Sequence, residues 1–153
     1  MSTQATTHTY TNKEVSSLTG LPSSTLRYYE SIGIVEPIRR GSSSKHRVYS
    51  EEDLSVLDAI ACLSATGMSI GNMRAYMQNR NRGAEGADEQ VELLTAQRRY
   101  LVAEAKLLKV RQQYVELKID YWNAVADGDE AKAQKSGAQA RKLADIIKLP
   151  REL

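Results

Sequence analysis

Thr25-Leu26-Arg27-Tyr28-Tyr29-Glu30 is the stretch on which the reading of this chain turns. It places one cation and two hydroxyl-bearing rings on what reads as a short helix. Arg27 can donate charge-assisted hydrogen bonds to phosphate oxygens, and tyrosine hydroxyls can add neutral ones. A helix built this way suits a DNA groove better than a protein core. One of Tyr28 and Tyr29 has a plainer reading as a core side chain.

The flanks give that helix a setting. A first helix starts near Thr11, where Thr11-x-x-Glu14 forms a capping box. Val15 and Leu18 make its apolar stripe and Gly20 stops it. Leu21-Pro22 turns the chain into a second helix over 23–31, with Leu26 facing inward and Gly33 at its end. Two helices joined by a short Gly-containing turn read as helix-turn-helix. Next, Ile34-Val35 and Arg47-Val48-Tyr49 have strand character around a Gly41-Ser42-Ser43-Ser44 tip. This predicts a small β-hairpin, a wing. Its flank is basic: Arg39, Arg40, Lys45, His46 and Arg47. A local basic patch matters most when the total charge is near neutral, and here it is +2. The patch also has a bland reading as a solvated loop.

Ser50-x-x-Asp53 caps a third helix that runs to about Thr66, where Gly67 breaks it. Ser69 opens a fourth, with Ile70, Met73 and Met77 on one face. Residues 79–87 read as a polar, Gly-rich linker. The longest helix is expected over 88–126. Leu94, Arg98, Leu101, Ala105, Leu108, Gln112, Val115, Ile119 and Trp122 follow steps of alternately four and three, which is coiled-coil spacing. Such a helix reaches roughly 50 Å and cannot bury its seam against a small head alone. A partner helix from a second copy is the natural cover, so Leu94, Leu101, Leu108, Val115, Ile119 and Trp122 are the predicted dimerisation residues. A second stripe, Leu93, Tyr100, Leu107, Tyr114 and Tyr121, widens the apolar surface. Asp127-Gly128-Asp129 turns the chain into a last helix over 130–148, ended by Pro150, to which the sequence assigns no role.

The predicted fold is therefore mainly α. It comprises a disordered tail over 1–9, a winged helix-turn-helix head over 10–78, the linker over 79–87, an antiparallel coiled-coil dimerisation helix over 88–126, and a C-terminal segment over 127–153. Among 153 residues there is one cysteine, Cys62, so no internal disulfide forms, which fits a reducing cytosol. The first nine residues lack the apolar core of a signal peptide. No apolar run approaches the roughly 20 residues needed to span a bilayer. The expected location is cytoplasmic, with no membrane partner. An enzyme is the weakest reading: there is no P-loop, no Gly-x-Ser-x-Gly and no metal-ligand spacing, and the histidines, His8 and His46, fall in the tail and the wing. No cofactor and no metal are expected.

Tyr10-Thr11-x-x-Glu14-Val15, Leu18-x-Gly20, Thr25-Leu26-Arg27-Tyr28-Tyr29-Glu30, Ile32-Gly33-Ile34 and Arg47-x-Tyr49-x-x-Glu52-Asp53-Leu54 stand in an order and spacing that resemble the MerR family of bacterial transcription regulators. The resemblance covers residues 10 to about 77. It implies a winged head, two subunits joined by an antiparallel coiled coil, and a homodimer on a palindromic promoter. It also implies control of transcription by distorting a promoter whose spacer is too long for RNA polymerase. Carried over, Thr25, Arg27 and Tyr28 contact DNA from the second helix. Arg39, Arg40 and Arg47 do so from the wing, joined by Lys45, with Tyr49 packing at the wing's base or reaching a phosphate. Two positions depart from the family: Ser24 stands where many relatives have a basic or larger side chain, and Lys45-His46 replaces the usual Gly-Tyr.

Cys62 falls on the less apolar side of the third helix with Ser55, Asp58, Ala59 and Thr66. Its position resembles the aldehyde- and thiol-stress-sensing branch of the family, AdhR and NmlR, which implies redox or electrophile sensing. Physics pulls the other way. Cys62 lies about three turns into its helix and Asp58 is one turn away, so nothing on its own helix favours the thiolate. An inert helical cysteine is the plain alternative. One cysteine cannot build a thiolate-rich metal site. A non-covalent effector near Tyr114, Tyr121 and Trp122, or an effector-free architectural protein, are the other readings.

Overall fold

Side-chain caps set where the helices begin, and they do so at the expected residues. The computed structural model describes residues 7–148. Its helices are α1 (Asn12–Thr19), α2 (Ser23–Ser31), α3 (Glu51–Ala65), α4 (Ile70–Asn81), α5 (Ala87–Ala126) and α6 (Glu130–Ile147), with a 3₁₀ turn at Gly83–Gly86. Thr11 and Ser50 both form complete capping boxes, with Glu14 and Asp53 as the returning partners. Each box satisfies otherwise orphaned backbone donors, worth about 1 kcal/mol per cap. Most of the tail expected to be disordered, and Pro150 at the far end, lie outside the described residues. No helix among the described residues is long and apolar enough to cross a membrane.

The chain forms two units, the first ending at Gln97 and the second beginning at Arg98. In the first, a single core gathers Val15, Leu26, Tyr29, Ile34, Val35, Ile38, Tyr49, Leu57, Ile60, Met73 and Met77, with Leu21 and Met68 at its edge. These residues come from α1 to α4 and from the segment between α2 and α3. Burying a side chain of this size stabilises by about 1.5–3 kcal/mol, so the head has its own hydrophobic basis. Tyr29 is the buried member of the tyrosine pair and Tyr28 is half exposed.

The wing is built differently from the sequence expectation. Ile34 and Val35 are not a strand. After Gly33, at φ +76°, the Ile34 and Val35 N–H groups both turn back to the Tyr29 carbonyl, at 3.0 and 3.5 Å. Both side chains then enter the core. Their β-branching reads as strand in sequence, but the left-handed glycine turn and the core claim them. The wing's limbs are instead residues 39–41 and 46–48. They meet at one antiparallel bridge, Arg40 with Arg47, and no regular strand forms among the described residues. The Gly41 N–H donates to the His46 carbonyl at 2.9 Å and the Val48 N–H to the Arg39 carbonyl at 2.8 Å. A second bridge, Tyr10 with Tyr49, ties the start of the chain to the wing's end.

The segment 79–87 holds the last turn of α4 and the 3₁₀ turn rather than an open loop. Its backbone is held close. A Cβ on Gly86 would lie 2.4 Å from the Asn79 carbonyl oxygen, so no other residue fits there. Gln90, on the first turns of α5, accepts a hydrogen bond from the Asn79 side chain at 3.3 Å and donates to the Tyr76 carbonyl at 2.8 Å. Arg82 pairs with Glu89 across the same turn. Gln97 donates to the Thr66 carbonyl at 2.8 Å, closing the end of α3.

In the second unit, Gly128 at φ +71° and the Asp129 side chain, which caps the Lys132 N–H, turn the chain into α6. α6 folds back along α5. Gly137 lies beside the Tyr121 ring, and Ala124, Ala133, Ser136 and Ala140 are buried. Small residues let the two helices approach.

Candidate nucleic-acid interface

The short α2 carries Thr25, Arg27 and Tyr28 on its outer side while Leu26 and Tyr29 fill the core. Arg27 is exposed, Thr25 is half buried, and Tyr28 leans towards the Tyr29 ring at 6.2 Å between centroids. The helical spacing dictates this: Leu26 and Tyr29 are three apart and share the inner face, which leaves Arg27 and Tyr28 outside.

The wing presents Arg39, Arg40 and Lys45 as exposed cations. Lys45 is the one described non-glycine residue with a positive φ, at +54°. That conformation accounts for the family's usual glycine at this place. Holding a lysine there costs on the order of 1–2 kcal/mol, and it sets a cation at the tip. The Arg40 guanidinium donates to the Lys45 carbonyl at 3.3 Å and so stiffens the loop.

Two of the expected contacts are engaged inside the protein. Arg47 is half buried, and its Nε donates to Glu30 Oε2 at 2.6 Å. Its two Nη groups have no partner among the described residues. Tyr49 is 1% exposed, and its hydroxyl donates to Asn12 Oδ1 at 2.7 Å. Burial pushes this hydroxyl's pKa above the ordinary tyrosine value. Tyr49 therefore packs at the base of the wing, the first of the two roles the resemblance implies.

Glu30 was not singled out in sequence. It sits one turn after Arg27, and besides Arg47 its Oε1 accepts the Ile38 N–H at 3.1 Å. Burial opposes its ionisation. The hydrogen bonds from Arg47 and Ile38, with the charges of Arg47 and Arg40, outweigh that and hold its pKa below the ordinary glutamate value. The pairing spans 17 positions of chain, which no local period signals. Arg74 on α4 was missed as well; its Nη2 donates to the Ile32 carbonyl at 2.8 Å and closes the turn after α2.

Beyond the head, Leu94, Leu101, Leu108, Val115, Ile119 and Trp122 are 41–64% exposed on α5. Cys62 is a free, exposed thiol on α3. An open cleft of about 580 Å³ at the α5–α6 turn is lined by Tyr121, Val125, Asp129, Gln134 and Arg141, among others.

Residues 10–80 match the MerR HTH family of regulatory proteins. The transcriptional regulator AdhR of Bacillus subtilis is 32% identical over 83 residues, which are 54% of this chain and 59% of AdhR. HmrR of Rhizobium leguminosarum, also a transcriptional regulator, is 36% identical over 64 residues, 42% of this chain and 48% of HmrR. The chain thus spans about half to three fifths of these curated relatives. Among solved structures, HiNmlR superposes with a TM-score of 0.70 and 25% identity, covering 82% of this chain and 96% of HiNmlR. That protein is a MerR family regulator lacking the sensor domain, and its crystal structure holds promoter DNA. A MerR family regulator from Bacillus cereus superposes at 0.60 with 25% identity, over 75% of this chain and 84% of its own.

Proposed function

Residues 10–80 belong to the MerR HTH family, and from that membership we propose that the chain is a transcription regulator that binds promoter DNA as a homodimer and acts by distorting it. One observation carries the reading. Arg27 and Tyr28 stand outside on α2, and the Glu30–Arg47 pair joins that helix to a wing bearing Arg39, Arg40 and Lys45. Cations on two adjoining elements match the pattern of a backbone-gripping head. The exposed apolar row on α5 supports the homodimer, because a seam this regular is what a partner helix covers. RNA polymerase is the partner that a distorted promoter serves.

The test is binding to duplex DNA from upstream of the protein's own coding sequence, titrated with salt. Arg27→Ala is expected to weaken binding to specific and scrambled duplexes alike and to reduce the slope of log K against log salt by about one. Unchanged affinity would remove α2 from the interface.

For the signal, the reading places stress sensing at Cys62, whose thiol is free and exposed on α3. Cys62→Ser is expected to abolish an aldehyde or oxidant response of a reporter promoter. A second reading, a non-covalent small molecule, is favoured by the cleft at the α5–α6 turn. A response retained in full by the serine variant selects it over the thiol.

A further inference from the structure

We propose that Glu30 is a positioning residue of the DNA interface, a clamp that fixes the wing in register with α2. The inference rests on the DNA-binding reading above and concerns how that surface is held in shape.

One carboxylate takes both sides of the wing. Oε1 accepts the N–H of Ile38, the residue before the outgoing limb, at 3.1 Å, and Oε2 accepts Arg47 Nε, on the returning limb, at 2.6 Å. Both limbs are thereby pinned to one point near the end of α2. The limbs have little else to orient them. They share one bridge and a few backbone bonds, and a hairpin of that size is marginal by itself. Ile38 and Tyr49 bury the roots in the core, but beyond them the wing is exposed as far as its tip at Ser42–Lys45.

The clamp also redistributes the charge. Arg47 is committed through Nε, so its cation is largely answered within the protein. The cations free to meet phosphates are Arg39, Arg40 and Lys45 on the wing and Arg27 on α2. Their spacing has to match phosphates that lie at fixed intervals on a duplex. Partly buried ion pairs often contribute little net stability, whereas fixing one arrangement among several is a use they do serve.

A purely stabilising pair and a positioning clamp differ in the salt dependence of DNA binding by folded protein. Glu30→Gln keeps the shape of the side chain and an acceptor for Ile38 but loses the ionic bond to Arg47. Binding is measured against the upstream duplex and a scrambled one, below the unfolding temperature of each variant. Affinity is expected to fall about tenfold, and the salt slope to drop by about one to two as wing phosphates are lost. Arg39→Ala should then cost little more in the Glu30→Gln background than alone, a non-additive pair. A wild-type slope in Glu30→Gln, or losses that simply add, overturns the clamp. Should Glu30→Gln fail to fold, Glu30→Asp carries the same test: it keeps the charge but is one methylene too short for both partners. Its expected slope is reduced, and an unchanged slope overturns the proposal. If Arg27→Ala and Arg39→Ala both leave wild-type binding untouched, the DNA reading itself fails. Loss on those two with no effect at Glu30 defeats the clamp alone.

Discussion

At the scale of single residues, the head turns on side chains that serve the protein's own backbone. Asn12 takes the Tyr49 hydroxyl, Arg74 takes the Ile32 carbonyl, and Glu30 takes Ile38 and Arg47. Glu30 makes part of the head's stability depend on pH. Its folded pKa is depressed, so its contribution is fully present above the unfolded glutamate value of about 4.3 and disappears as pH falls through the lower folded value. Comparing the thermal midpoints of wild type and Glu30→Gln across pH should show a constant wild-type advantage near neutrality that vanishes in acid. An advantage that persists undiminished in strong acid would sink this account. The sequence disclosed Arg27, Arg39 and Arg40 as surface cations because helix phase and local composition are enough to place them. It did not disclose that Arg47 is tied down, since its partner lies on another element.

At the scale of elements, helices were legible and the wing was not. α2 begins and ends where the Leu26–Tyr29 phase, Pro22 and Gly33 put it, and α3 starts at the Ser50 box. These signals are local. The wing depends on a competition between strand propensity and a core that takes Ile34 and Val35, and only the tertiary fold decides it. The joint between α4 and α5 was likewise read as a flexible stretch, because its glycines were taken for freedom. Gly86 is there for closeness. Gly86→Ala must push its Cβ against the Asn79 carbonyl at 2.4 Å, which backbone cannot absorb without moving α4 or α5. We expect a loss of about 2 kcal/mol or more in chemical denaturation of the head, beyond what a helix-favouring alanine returns. Gly83→Ala serves as the control: it has open space but a φ of +58°, so its cost should be about 1 kcal/mol. Equal effects of the two would show that crowding at Gly86 is not the cause.

At the scale of the whole molecule, the exposed row on α5 sets the expected assembly. Leu108 and Val115 are each 55% exposed, and Trp122 is 64%. A row of large side chains left in water this way is uncommon on a protein that works alone. Leu108→Glu places a charge in the middle of the proposed seam. Sedimentation should show wild type as a dimer at micromolar concentration and the variant as a monomer whose head still unfolds cooperatively. A wild-type monomer at that concentration removes the dimer, and a dimeric variant moves the seam elsewhere. The second stripe has a different task from the row. Tyr121 lies against Gly137, so part of it is covered by α6 within the chain. That gives the last helix a role the sequence alone could not assign.

The latches on α5 fall early. Gln90 holds Asn79 and Tyr76, and Gln97 holds Thr66. For protein engineering, this marks a splice point. A chimaera that keeps this chain through Gln97 retains every one of those latches with its own DNA-reading surface, and a helix borrowed from another regulator can be joined from the next residue in matching heptad phase. The tight glycine joint then becomes a transferable adaptor, and exchanging sensors reduces to counting sevens.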